Sequence, residues 1–185
     1  MDEHLKYLKL LSEQFPNIPS VSTKIINLKA ILNLPKSTEH FLTDLHGEYE
    51  TFQYRLKSAS GEIEYKINKI FASEISAKEK RDLASLIFYP EDKLKILKEN
   101  HGGISSEQAR NYLNRMIKLS KIISSIYTRS RVRKALPDEF SYILEELLHL
   151  TENDECKKDY HDQIITTIIE IDQTENFIIS LANLI

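Results

Sequence analysis

Ser105-Ser106-Glu107-Gln108-Ala109-Arg110-Asn111-Tyr112-Leu113-Asn114-Arg115-Met116-Ile117-Lys118-Leu119-Ser120-Lys121-Ile122-Ile123 is the stretch on which the fold class turns. It opens on a capping box. The Ser105 hydroxyl can accept from the N–H three residues on, and Gln108 can reach back to the Ser105 N–H. Tyr112, Met116, Leu119 and Ile123 then recur every three or four residues, with Ile126 and Tyr127 beyond them. That is the period of one helix face, and it predicts a long helix running on toward Ala135. Ser76-Ala77-Lys78-Glu79 repeats the signature ahead of Leu83, Leu86 and Ile87, and Pro90 closes that helix.

Outward from these two helices the same period recurs. Leu5, Leu8 and Leu11 predict a helix over 3–14, broken by Pro16 and Pro19. Ser20 or Ser22 is expected to cap a second, through Ile25, Ile26, Leu28, Ile31 and Leu32 to Pro35. Tyr49, Phe52, Tyr54 and Leu56 mark another, and Ile63, Ile67, Ile70 and Phe71 the next. A short helix from Glu91 to Lys98 should stop near Asn100-His101-Gly102-Gly103. Pro137-Asp138 should open one bearing Phe140, Ile143, Leu144, Leu147 and Leu148. From Tyr160 to Ile185, the residues Ile164, Ile168, Ile171, Ile178 and Leu181 form a helical stripe, although β-branched content leaves a final strand open.

One segment reads differently. Residues 38–45, Thr-Glu-His-Phe-Leu-Thr-Asp-Leu, are expected to form one short β-strand ending in a loop. The fold class is therefore mostly α, a helical bundle-like chain with a single strand near 38–45. Composition agrees. Of 185 residues only 4 are glycine and 5 proline, too few for a chain of turns and sheets. Neither GxGxxG nor GxxxxGK[ST] occurs, which removes the glycine-rich phosphate loops.

Charge and cysteine content narrow the class further. The balance of 25 basic against 28 acidic residues gives no nucleic-acid signature. Cys156 is the only cysteine, so there is no internal disulfide framework and no CxxC metal site; it is expected to be an exposed bystander. No apolar run approaches the roughly 20 residues of a membrane span, and Asp2 and Glu3 stand where a signal peptide carries basic residues. A cytoplasmic protein without nucleic-acid or membrane partners is expected. The final Leu181-Ala182-Asn183-Leu184-Ile185 is more apolar than a usual terminus, and suggests a fragment.

Two clusters could carry chemistry. In Asp44-Leu45-His46-Gly47-Glu48, a carboxylate and an imidazole two residues apart would share one side of a strand. Oxygen and nitrogen donors suit Mn²⁺, Fe²⁺ or Zn²⁺, and Gly47 would let the chain turn beside the ion. His40 would share that face by parity. Spacing alone favours the plainer account, a surface acid and a partly buried histidine around a glycine turn. His4, His101, His149 and His161 are read respectively as N-terminal, a helix stop, a helix end and a solvated helix start. The second cluster is Arg129, Arg131 and Arg133, with Lys134, Lys118 and Lys121. Guanidinium forks match phosphate oxygens. The plainer account, also favoured, is compensation of a helix dipole and pairing with Asp138, Glu139, Glu145 and Glu146.

A longer resemblance reverses the preference at Asp44 and His46. The run from Ile25 to Lys36 and the run from Thr38 to Glu50 resemble the start of the class III fructose-1,6-bisphosphatases of Firmicutes. Leu83–Glu91 and Arg129–Pro137 resemble the same family, in the same order. The likeness extends from about residue 20 onward, and the family is itself similar to the calcineurin-like metallophosphoesterases. It implies a parent α/β sandwich with a two-metal site, usually Mn²⁺, that hydrolyses fructose 1,6-bisphosphate in gluconeogenesis. By resemblance Asp44 and His46 would be metal ligands; for Arg129, Arg131 and Arg133 both accounts stand, a substrate or effector phosphate or only the neighbouring acids. The family's later Gly-Asp and Gly-Asn-His motifs are missing: Gly47 and Gly61 precede Glu, Gly102 precedes Gly103, and Gly103 precedes Ile104. The expectation is an N-terminal segment that is inactive alone and self-associates. Residues 1–50 would carry the first strand and motif, and residues 51–185 a helical insertion. The competing expectation is a non-catalytic helical interaction module that has kept the first motif.

Overall fold

A computed structural model describes residues 3–36, 39, 41–149 and 155–185, with the side chains at 101, 155 and 156 left aside. The described residues are mostly helical, with a non-helical stretch at 41–48. It divides into two units, residues 1–37 and 38–185.

The first unit carries α1 (Glu3–Gln14) and α2 (Ile18–Ile31), and no described residue of either helix is buried. The cap of α2 is Asn17, not the expected Ser20 or Ser22; the Ser20 N–H donates to Asn17 Oδ1 at 3.0 Å. Pro19 thereby falls inside the first turn. Its missing N–H costs nothing there, because the first N–H groups of a helix have no partner in any case.

The second unit holds α3 (Tyr49–Lys57), α4 (Glu62–Phe71), α5 (Ala77–Phe88), α6 (Pro90–His101), α7 (Ser106–Ser124), α8 (Arg129–Ala135), α9 (Ser141–His149), α10 (Glu155–Glu170) and α11 (Thr174–Leu184). Both capping boxes form as read: Ser76 with Glu79, and Ser105 with Gln108. The core collects one face of each long helix. α4 buries Ile63, Ile67 and Phe71, and α7 buries Leu113, Met116 and Leu119. Leu83 and Leu86 of α5, Leu144 and Leu147 of α9, and Phe177, Ile178 and Leu181 of α11 complete it. α11 packs against α7, α5 and α6 and so closes the bundle. Burial of each such side chain stabilises the fold by roughly 1.5–3 kcal/mol. Phe177 also meets Phe140 edge-on, with centroids 5.2 Å apart.

Four expectations are corrected. No strand is present among the described residues, so the short strand near 38–45 is not seen at 39 or 41–45; positions 38 and 40 lie outside the described residues. Asp44 and His46 take φ of 57° and 48°, which breaks the extended path, and the described helices offer no ladder partner. The long helix stops at Ser124 instead of continuing to Ala135, because Thr128 is extended and caps α8 through the Arg131 N–H. The helix expected at Pro137 starts at Ser141, after Phe140 at φ 63°. The isoleucine-rich tail is two helices parted at Asp172, φ 56°, with no final strand. Ile165, Ile168, Phe177, Ile178 and Leu181 are buried there, while Ile171 is 59% exposed. Much of the apolar face of this tail is therefore core.

Among the described residues no helix is long and apolar enough to cross a membrane.

Candidate functional site

Leu45-His46-Gly47-Glu48 forms a β-turn, closed by the Glu48 N–H donating to the Leu45 carbonyl at 2.9 Å. Both central residues are left-handed, His46 at φ 48° and Gly47 at φ 76°. That is the φ signature of a type I′ turn, which glycine adopts freely and which excludes β-branched side chains. Asp44, at φ 57°, is left-handed as well. Aspartate and histidine are among the few non-glycine residues that tolerate this region. A second bond, from the Tyr49 N–H to the Gly47 carbonyl at 2.9 Å, leads the chain into α3.

The turn brings the two candidate ligands together. His46 Nε2 lies 2.9 Å from Asp44 Oδ2, and each side chain is 75% exposed. The route differs from the expected one. Two positive φ angles, not the parity of a strand, aim the side chains at one another. Anionic oxygen and imidazole nitrogen suit a divalent ion of the Mn²⁺, Fe²⁺ or Zn²⁺ group. A separation of 2.9 Å also matches neighbouring positions on an ion whose bonds are about 2.1 Å long. As a pair of donors the residues fit. As a complete centre they do not, since a catalytic ion takes at least three protein ligands. Among the described residues no group of three or more His, Cys, Asp or Glu could hold an ion. His40, the third candidate, lies outside the described residues.

Three further histidines lie on helices of the second unit. His101 ends α6, followed by Gly102 at φ 74°, the expected helix stop. His149 ends α9, also as expected; the Glu145 carboxyl on the same helix is held below its ordinary value chiefly by the hydrogen bonds from Arg133, with lesser help from the Arg133 charge and then from His149. His161 is not a solvated helix start. It lies within α10 with its side chain only 20% exposed. Burial, and then the charge of Lys121, push its pKa below the ordinary 6.5, against the pull of Asp162 at 3.8 Å. Sequence reasoning missed this because Asp159 and Asp162 flank the histidine and suggest a solvated position.

The three arginines share α8 but not one target. Arg133 donates from Nη2 and Nε to Glu145 Oε1, at 2.6 and 3.0 Å, which is the pairing expected on the plainer account. Arg131 lies over the Tyr127 ring, 4.7 Å from its centroid. Arg129 contributes charge at Glu145. Lys118 turns to the connection between α4 and α5, with Nζ 3.2 Å from both Glu74 oxygens. No phosphate cradle is formed by Arg129, Arg131 and Arg133 together; the side chain of Cys156 lies outside the described residues.

Comparison with known proteins places the chain. The sequence model of the Firmicute fructose-1,6-bisphosphatase family matches residues 6–185, so the chain belongs to that family. A fructose-1,6-bisphosphatase class 3 of Clostridium botulinum (strain Loch Maree / Type A3) is 51% identical over 183 residues, which are 99% of this chain and 27% of the relative. A protein of the same description from Clostridium novyi (strain NT) is 51% identical over 181 residues, 98% of this chain and again 27% of the relative. The chain thus spans about 27% of the length of these relatives. No solved structure matches it.

Proposed function

We propose that this chain works within a metal-dependent fructose-1,6-bisphosphatase, a phosphoric monoester hydrolase that releases phosphate and fructose 6-phosphate, and that Asp44 and His46 are two of its metal ligands. The observation that carries this is the 2.9 Å approach of His46 Nε2 to Asp44 Oδ2, inside the span that the family model matches. Divalent ions, with Mn²⁺ proposed, supply Lewis acidity toward a phosphoryl oxygen and acidify water. Asp44 contributes negative charge, His46 a directional nitrogen lone pair, and the turn at Gly47 fixes the angle between them. Further ligands, from His40 or from polypeptide outside residues 1–185, complete a two-metal site in this proposal. Residues 51–185 act as a helical insertion beside it. A phosphate role for Arg129 and Arg131 stays within the proposal; Arg133 is already paired with Glu145. So do gluconeogenic, cytoplasmic action and homo-oligomerisation, the last supported by exposed Ile25, Ile26 and Phe41.

A non-catalytic helical module is the competing proposal, favoured by the 75% exposure of both donors and by the lack of a third among the described residues. One experiment separates them. Asp44→Asn in the intact phosphatase should abolish phosphate release from fructose 1,6-bisphosphate while leaving the circular dichroism of the helices unchanged. Unchanged turnover in that variant removes Asp44 from the chemistry and leaves the module.

A further inference from the structure

A cleft of about 470 Å³ lies between α3, α4 and α5, and neither Asp44 nor His46 lines it. Its floor is core: Ile67, Ala84 and Phe88 are 1%, 6% and 3% exposed. Tyr54 stands at its rim, its ring perpendicular to Phe88 with centroids 5.9 Å apart. Glu64 and Asn68, one turn apart on α4, line one wall, and Lys80 and Arg81 of α5 line the other.

Three charged groups of α5 are paired. The Glu79 carboxylate accepts from Ser76 and from Arg115. Asp82 accepts from Lys93 at 2.8 Å. The Lys80 ammonium donates to the Ala72 carbonyl, at the C-terminal end of α4. Two charged groups in the cleft remain without a protein partner among the described residues, the Arg81 guanidinium and the Glu64 carboxylate. They share the cleft and do not pair with each other.

This combination selects a ligand class. A dianion would be repelled by Glu64, and an organic cation by Arg81. A neutral apolar molecule would strip water from both charges without replacing it. We propose that the cleft binds a small zwitterion with an apolar body, the class of a free hydrophobic amino acid, its carboxylate on Arg81 and its ammonium on Glu64. A guanidinium fork accepts a carboxylate through two parallel N–H bonds. The ammonium can also lie over the Tyr54 ring. The apolar side chain rests on Ile67 and Phe88, and the Asn68 amide is placed to bond either polar end. The site is separate from the turn at Asp44 and His46, and its occupant is a ligand other than the substrate.

The test is an amide-shift titration of the full 185-residue chain with L-phenylalanine by two-dimensional NMR. Shifts confined to residues 64–68 and 81–88, with a Kd on the order of 1 mM, are expected for a ligand of this size. Phenethylamine, without the carboxylate, and 3-phenylpropionate, without the ammonium, should each bind at least about tenfold more weakly. Arg81→Gln and Glu64→Gln, both at exposed positions that leave the core intact, should each weaken L-phenylalanine by a similar factor. Absence of shifts up to the solubility limit overturns the proposal. Equal binding of 3-phenylpropionate, or an unchanged Kd in Glu64→Gln, also overturns it and makes the cleft a simple anion site.

Discussion

His46 Nε2 lies 2.9 Å from Asp44 Oδ2 although no described strand holds either residue. Left-handed backbone at three of four consecutive positions, Asp44, His46 and Gly47, makes the approach. Gly47→Val should therefore separate the pair even though it removes neither ligand. A β-branched residue at φ 76° is strained. The expected result is loss of Mn²⁺-induced broadening at residues 44–47, with the melting of the helical core unchanged. Retained broadening would show that the turn does not position the pair.

The 185-residue chain alone should bind Mn²⁺ weakly and release no phosphate from fructose 1,6-bisphosphate. Two donors, each 75% exposed, do not replace the several water oxygens that such an ion holds in solvent. Calorimetric titration and a phosphate-release assay measure the two halves. Turnover that survives chelation and metal reloading, and vanishes in Asp44→Asn, would mean that the described residues already hold a working centre.

The isoleucine-rich tail gives a contrast in stability. Leu113→Ala and Phe177→Ala, at the α7–α11 contact where both side chains are fully buried, should each cost about 2–5 kcal/mol in denaturant unfolding. Ile171→Ala, 59% exposed beside the break between α10 and α11, should stay within about 0.5 kcal/mol. Comparable losses at Ile171 and Phe177 would restore a single continuous stripe.

Glu79 should give the fold a measurable acid limb. Hydrogen bonds from the Ser76 backbone and hydroxyl, then from Arg115, lower its pKa from 4.5 to about 2. A carboxyl depressed in the fold stabilises it fully above the unfolded value and loses that contribution as pH falls through the folded one. Thermal unfolding of the native chain and of Glu79→Gln should thus differ most above pH 4.5 and converge toward pH 2. A difference independent of pH across that window would assign the effect to shape alone.

His161 should titrate below 6.5, because burial and the Lys121 charge oppose its proton. Its share of stability is present above 6.5 and is lost as pH falls through the lower, folded value. An NMR titration of the imidazole reads the midpoint directly. A midpoint above 6.5 would mean that Asp162 dominates over burial.

Helix identity was legible in the sequence because its signals are local. Each capping box is complete within four residues, Ser76 to Glu79 and Ser105 to Gln108, and both form as read. The candidate ligands were equally legible as residue types, and the long resemblance chose between a surface accident and a metal motif. What failed was each step that depended on a distant partner. Residues 38–45 carry strand-forming side chains, but a strand exists only where another backbone accepts its hydrogen bonds, and the described helices provide none. The isoleucines of one tail look alike in order, yet Ile178 is fully buried in the bundle while Ile171 is 59% exposed. His161 between two acids reads as solvated until α10 folds it inward. The sequence by itself determined which stretches are helical and which residues could ligate a metal, because dihedral preference and donor chemistry belong to the residue. Only the tertiary structure decided which faces are dry and which charges are paired, because exclusion of water requires atoms contributed by residues far along the chain.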